Sequence, residues 1–285
     1  MKSIIKYPGG KLWLVPRVER LIKEVSPECV AEPFCGGLSL SLNYEFKRVI
    51  ANDVISPLIN LYRHAQLGGI PNRDDWVFTY DDYMNVRSEF RQLCTDGKCN
   101  SQYTADMFWY LVSHGFNGLV RFNKKGLWNV PPGDYDKIAT PQNFSEFARV
   151  TKDWEFHNKS YDKLDLSKAN LIFADPPYAG KKFNKHEGHV FSNYSGNAFK
   201  DVHQRETAEW LSGFDVPVIA TNSANRDLAK IYKALGFHVY RTMAPRSISR
   251  NGNGRTKVPE MIAFKGFGLN RKYSMLVDGL EYWSL

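Results

Sequence analysis

Apolar residues recur every three or four positions from Leu14 to Val25, the spacing of a helix with one buried face. Cys29 to Phe34 then reads as a short strand ending at Gly36-Gly37. Leu38 to Phe46 reads as a second helix, and Val49 to Asn52 as a second strand ended by Asp53. This is a βαβ opening. From Ser56-Pro57 the pattern changes. A helix runs to about Ala65, Gly68-Gly69-Ile70-Pro71-Asn72 forms a loop, and Asp81 to Leu93 and Ala105 to Ser113 are helical. Two extended runs, Leu119 to Asn123 and Leu127 to Val130, flank Lys124-Lys125-Gly126. They predict a β-hairpin closed by Pro131-Pro132-Gly133. Alternation of strand and helix resumes with strands at 154–157, 171–174, 216–221, 238–243 and 260–265, and helices at 202–212 and 225–235. The pattern predicts an α/β fold with a largely parallel sheet, interrupted between residues 57 and 150 by a mostly helical insert bearing one hairpin.

The chain has 285 residues, 43% of them hydrophobic, enough for one large domain or a catalytic domain with an insert. Its net charge of +8 favours a polyanionic partner, and its 14% aromatic content supplies rings that stack on bases as well as a core. No apolar run approaches the ~20 residues of a spanning helix, and Met1 to Lys6 is unlike a signal peptide. A cytoplasmic protein without membrane attachment is expected. The four cysteines at 29, 35, 94 and 99 have no neighbouring histidine or second pair to complete a zinc site, so reduced thiols and no bound metal are expected.

Candidate chemistry sits at the ends of predicted strands. Asp175-Pro176-Pro177-Tyr178 follows the apolar strand Leu171-Ile172-Phe173-Ala174. Two prolines stop the strand, leaving a carboxylate, carbonyls and an aromatic ring at the edge where open α/β sheets bind ligands. The carboxylate and a carbonyl accept hydrogen bonds from an amino group while the ring stacks on a flat heterocycle. Alone, the tetrapeptide does not separate adenine from cytosine or DNA from RNA, and it also fits a Pro-terminated strand with an incidental Asp. Glu32-Pro33-Phe34-Cys35-Gly36-Gly37 places glycines where the first strand turns into a helix, allowing close approach of a ligand to backbone N–H groups. Asp53, ending the next strand, is placed to reach ribose hydroxyls. Neither the three-glycine dinucleotide fingerprint nor a P-loop is present. A second glycine turn, Lys6-Tyr7-Pro8-Gly9-Gly10-Lys11, is either a solvated basic terminus or a platform with Lys11 against a carboxylate and Tyr7 on a cofactor.

Taken together and in order, these segments resemble the Dam-type DNA adenine-N6 methyltransferases, the D12 class or alpha group, which use S-adenosyl-L-methionine. The resemblance rests on 6–11, 32–37, Asn52-Asp53, His114 to Asn123 with Asn129-Val130-Pro131, 175–178, and Arg246 to Gly252. It spans nearly the whole chain. It implies a Rossmann-like, mostly parallel seven-stranded methyltransferase sheet with a reversed strand at one edge, formed by residues 1–56 and 151–285. Residues 57–150 become the target-recognition domain. Departures from the pattern are Tyr7-Pro8 in place of Trp-Ala or Trp-Thr, Asp134 in place of a basic residue, and a more basic stretch after the catalytic loop, Lys181 to Glu187. The first keeps an aromatic ring; the others bear on DNA grip and flanking-base preference.

The resemblance also implies roles. Asp175 and the Pro176 carbonyl accept hydrogen bonds from adenine N6 and aim its lone pair at the methyl group, Tyr178 stacks on the base, and the base is flipped out of duplex DNA. S-adenosyl-L-homocysteine is the product. Tyr7, Lys11, Phe34, Gly36 and Asp53 hold the cofactor, joined by Ser160 and Tyr161, which are otherwise an ordinary strand-end pair. Residues 191–199, with Asn193, Tyr194 and Asn197, form either a loop over the target base or a plain surface loop. For DNA, Arg121 forks onto a guanine, Leu119 and Pro131 touch a thymine methyl, Phe116 and Asn117 fill the gap left by the flipped base, and Lys6 and Tyr135 serve a second guanine. Arg246 and Arg250 contact phosphates. The implied target is GATC in double-stranded DNA, and a monomer is expected. Competing readings are an RNA adenine-N6 methyltransferase and a DNA-binding protein that has lost catalysis.

Overall fold

The computed structural model describes residues 1–72, 76–180, 183, 199–245, 257–267 and 279–284. One eight-stranded sheet organises the chain: β1 (Cys29–Glu32), β2 (Arg48–Asn52), β3 (Glu155–His157), β4 (Leu171–Ala174), β5 (Val218–Ser223), β6 (His238–Ala244), β7 (Val258–Lys265) and β8 (Glu281–Tyr282), in the order β3-β2-β1-β4-β5-β7-β6-β8. Strands β1 to β5 pair in parallel, whereas β7 runs antiparallel to both β5 and β6. The mixed α/β architecture expected from sequence is present. The reversed strand, expected at an edge, instead lies inside the sheet between β5 and β6, and the short β8 pairs antiparallel with β6 beyond it. Apolar residues fill β7 from Met261 to Phe264, all buried, so this strand is covered on both faces as an interior strand must be.

Strand alternation splits the core into two layers. Val30, Val49, Ala51, Leu171, Phe173 and Ile219 belong to one buried cluster, and Ala31, Ile50, Ile172, Ala174, Val218 and Ala220 to the other. Over the second layer lie α7 (Asp201–Ser212) and α8 (Arg226–Ala234) through Ala208, Leu211, Leu228 and Tyr232. Over the first lie α1 (Val15–Val25), α2 (Ser39–Tyr44), α3 (Ser56–Gln66) and α6 (Phe144–Thr151). Helix α1 buries Val18, Leu21 and Ile22 on one face and ends at Ser26, whose left-handed backbone (φ 45°) turns its amide onto the Ile22 carbonyl. Sequence reading passes over α6; its buried Phe144, Phe147, Val150 and Thr151 have helical spacing.

Helices α4 (Tyr80–Thr95) and α5 (Gln102–His114) continue the first layer away from the sheet, with Tyr83, Phe90, Phe108, Tyr110 and Trp128 in the same buried cluster. Ser101 and Thr104 cap α5 reciprocally. The predicted hairpin arms do run antiparallel, but they meet through two isolated bridges, Gly115 with Pro132 and Phe122 with Trp128, and not through a continuous ladder. Thiols were expected at all four cysteines. The structure instead joins Cys94 and Cys99, because the turn at Gly97 (φ 72°) folds the chain back until their Cα atoms are 4.7 Å apart, within bridging range. Cys29 and Cys35 are buried free thiols. Among the described residues no helix is long and apolar enough to cross a membrane, and no group of metal-ligating side chains forms.

Candidate active site

Strand β1 is hydrogen-bonded to β2 on one side and to β4 on the other, and the connections leave in opposite directions from this point. The crevice beyond the C-terminal ends of β1 and β4 is therefore the switch point of the sheet. Glu32 to Gly37, Asp53 and Asp175 to Tyr178 all emerge there.

On the β4 side, both oxygens of Asp175 are engaged. Thr221, on the neighbouring strand β5, donates its hydroxyl to Oδ1 at 2.6 Å, and Lys11 Nζ lies 2.7 Å from Oδ2. Lys11 is only 2% exposed; it also donates to the Gly9 carbonyl and sits 4.8 Å from the centre of the Tyr178 ring. The Tyr178 hydroxyl donates to Glu260 at 2.6 Å, across from β7. Burial raises the Glu260 carboxyl, with Lys11 opposing, and burial with the adjacent carboxylates raises the Tyr178 phenol well above its usual range. The Pro177 carbonyl accepts from Gln204 at 2.6 Å, and Gln204 is held in turn by Asn222, whose side chain also accepts from the Ala179 amide. Among the described residues, no donor reaches the Pro176 carbonyl. The loop thus offers a fixed carboxylate, the Pro176 carbonyl, to which no described residue donates, and a ring anchored at its hydroxyl.

On the β1 side, Asp53 accepts from the Gly36 amide at 3.1 Å and the Ile55 amide at 3.0 Å. Burial pushes its carboxyl up to about 6 against those hydrogen bonds. The glycine pair has a use that the sequence did not show: a Cβ on Gly37 would lie 2.9 Å from Tyr7 Cβ, and one on Gly36 3.0 Å from the Tyr7 ring, so the tyrosine packs directly on the bare turn. Tyr62, wholly buried beneath, donates to the Gly36 carbonyl at 2.6 Å. Phe34 lies 5.1 Å from the Tyr161 ring, which packs edge-on to Trp210 at 5.0 Å. Phe199, the one described member of the 191–199 segment, meets Phe34 at 6.2 Å. The Ser160 hydroxyl is bonded to Asp162. Behind the turn, the buried carboxyl of Glu32 accepts from the Ser41 amide and hydroxyl, and loss of water raises it to about 7.

Six of the predicted DNA-facing residues lie between positions 116 and 135 of the insert and none of them is buried. Phe116, Asn117, Arg121 and Pro131 are exposed and Leu119 and Tyr135 half-buried, while Gly118, Val120, Phe122, Trp128 and Val130 point inward. Asn117 adopts a left-handed backbone (φ 53°), tolerated by asparagine at a turn tip. Gly118 packs on the Lys6 side chain, and Tyr135 covers Gly133 and reaches the Gly115 carbonyl at 3.4 Å, which brings Lys6 and Tyr135 beside this segment. The Arg121 guanidinium donates to the Asn129 carbonyl from Nε (3.1 Å) and Nη2 (2.5 Å). Arg246, Arg250 and residues 184–198 lie outside the described residues.

Thr221, Glu260, Gln204 and Asn222 went unread in the sequence. Two signals were available: a polar Thr-Asn-Ser run closing an apolar strand beside Asp175's own, and a lone carboxylate among the apolar residues 258–264 of β7.

Residues 7–248 match the family model of the D12 class N6 adenine-specific DNA methyltransferases. The chain is 31% identical to a protein named DNA adenine methylase from Salmonella typhi over 280 residues, covering 92% of this chain and 94% of the relative. It is likewise 31% identical to the DNA adenine methylase of Escherichia coli K12, with the same coverage, and 30% identical to that of Vibrio cholerae over 276 residues, covering 92% and 95%.

Proposed function

Because the chain belongs to the D12 class of N6 adenine-specific DNA methyltransferases, we propose that the loop after β4 holds the target adenine of duplex DNA while the turn after β1 holds S-adenosyl-L-methionine. The observation that carries this reading is Asp175, fixed at the switch point by Thr221 and Lys11 beside the Pro176 carbonyl and the anchored ring of Tyr178.

The cofactor side is supported by a donor set that fits the molecule. Asp53 retains lone pairs for ribose hydroxyls after binding two backbone amides. Phe34 and Tyr161 present rings for a purine, with Ser160 beside them, and Tyr7 and Lys11 border the passage towards Asp175. When bound, S-adenosyl-L-methionine supplies an electrophilic methyl group. Asp175 and the Pro176 carbonyl accept hydrogen bonds from the two N6–H groups of a flipped adenine, which draws the nitrogen lone pair out of the ring and aims it along one line. The fixed carboxylate also stabilises positive charge developing on N6. Tyr178 stacks on the base, with its hydroxyl held by Glu260 so that the ring plane is set before the base arrives. Asp175 need not keep the proton, since an N6-methyl ammonium is acidic enough to release it to solvent.

Residues 57–150 serve as the target-recognition domain. Arg121 reads a guanine, Leu119 and Pro131 a thymine methyl, Phe116 and Asn117 occupy the space of the flipped base, and Lys6 and Tyr135 meet a second guanine. Arg246 and Arg250 grip phosphates. GATC is the target that this set of contacts supports. The test is to incubate unmethylated genomic DNA with the protein and S-adenosyl-L-methionine and map N6-methyladenine by sequencing. Methylation confined to GATC is expected; methylation of another motif overturns the target, and its absence overturns the reaction.

A further inference from the structure

The return arm of the recognition segment, Trp128-Asn129-Val130, has no continuous strand partner, yet its carbonyls are not left to water. Arg91 Nε donates to the Trp128 carbonyl at 2.7 Å, Arg121 to that of Asn129, and Arg87 to that of Val130 at 3.3 Å. Tyr83 adds a second donor to Val130 at 3.2 Å and accepts from the Trp128 indole at 3.0 Å. Tyr83, Arg87 and Arg91 stand four residues apart on α4 and so line one face of it. Three consecutive carbonyls are thus held by three arginines, two from α4 and the middle one being Arg121 itself.

We infer that Arg91 and Arg87 are positioning residues for base discrimination: they fix the arm on either side of Asn129, and the Asn129 carbonyl sets the direction of the Arg121 fork. This rests on the reading of Arg121 as the guanine contact. Arg121 is exposed, and among the described residues the Asn129 carbonyl is its hydrogen-bond acceptor. A displacement of the arm therefore passes directly to the guanidinium, and a bidentate contact tolerates little misdirection. Among the described residues neither Arg87 nor Arg91 has a carboxylate within ion-pair distance. Burial and the neighbouring charge of Arg87 lower the Arg91 pKa, so two like charges stand together with carbonyl dipoles to offset them. A lysine supplies the charge but not the planar fork that reaches a carbonyl from Nε.

The experiment measures kcat/KM for methyl transfer on the mapped target duplex and on duplexes with single base-pair changes. Arg121→Ala first identifies the guanine by the pair at which discrimination falls. Arg91→Met is then expected to lower the discrimination ratio at that same pair by about tenfold, within the range one bidentate guanine contact supplies, and to cause no further fall in an Arg121→Ala background. Arg91→Lys is expected to recover only part of the loss. Should Arg91→Met not fold, Arg87→Gln provides the same readout through the looser 3.3 Å contact. An unchanged ratio in the α4 variants, with Arg121→Ala still effective, overturns the positioning role and leaves the guanine contact standing. A uniform loss on all duplexes marks a merely structural helix and also overturns it. An unchanged ratio in Arg121→Ala overturns the guanine contact itself, and the inference with it.

Discussion

At the residue scale, the weight falls on two carboxyl groups. Asp175 is the only group proposed to touch N6 that carries charge, and its oxygens are already oriented by Thr221 and Lys11. Asp175→Ala is expected to lower methyl transfer to DNA at least about 100-fold, read with tritiated cofactor, while circular dichroism stays unchanged. Retained activity in a folded variant would falsify the assignment. Asp53 gives a pH signature. Its carboxyl is raised to about 6, so it gains a proton as the pH falls through that value and loses acceptor capacity towards ribose hydroxyls. Cofactor affinity is expected to weaken below pH 6, and Asp53→Asn to bind more weakly and without that pH step; calorimetric titration from pH 5 to 8 checks both. Glu260, unread in the sequence, matters to the proposed stacking of Tyr178 because its carboxylate anchors the tyrosine hydroxyl across the sheet.

Among elements, the join between β1 and α2 carries a cost that can be measured. Glu32 ends β1 with its carboxyl buried against Ser41, and its pKa rises from an ordinary 4.5 to about 7. The folded chain therefore holds a proton there that the unfolded chain releases. The stability this gives is complete below about pH 4.5 and lost as the pH climbs through 7. Glu32→Gln keeps an acceptor for Ser41 and removes the charge. It is expected to match the parent near pH 4 and to exceed it at pH 8 by roughly 1–3 kcal/mol in urea unfolding; equal stability at pH 8 counts against a buried ionised Glu32. The N-terminal segment links the other parts. Ile4 accepts from Trp109 on α5, Lys6 packs on Gly118, Tyr7 covers Gly36 and Gly37, and Lys11 reaches Asp175. One short stretch thus touches α5 and the segment at Gly118, the glycine turn after β1 and the loop after β4.

At the scale of the whole molecule, a net charge of +8 implies binding to DNA that weakens steeply with salt. Arg250→Ala combined with Arg255→Ala is expected to reduce the slope of log K against log salt by roughly 2 if both meet phosphates, about 0.9 for each contact; an unchanged slope places both away from the backbone. Much of the architecture was legible from sequence. β4 matches its predicted bounds, and β1, β2, α7 and α8 lie within a few residues of theirs, because apolar strands and helix-spaced faces are local patterns. The positions of the motifs at the ends of β1, β2 and β4 were legible for the same reason: each motif is contiguous and follows its own strand. Other features depend on neighbours distant in sequence. The eight-residue α6 begins at a left-handed Asn143 without a side-chain cap and leaves little local trace. The interior place of β7, Glu260 beside Tyr178, Thr221 on Asp175, and Tyr7 on the glycine turn are all set by packing across the sheet. The arm Trp128-Asn129-Val130 shows the division most plainly. Its alternating residues determined which side chains face outward, but only the tertiary structure decided how it is held, because unladdered carbonyls must find donors and α4 happens to bring arginines to them.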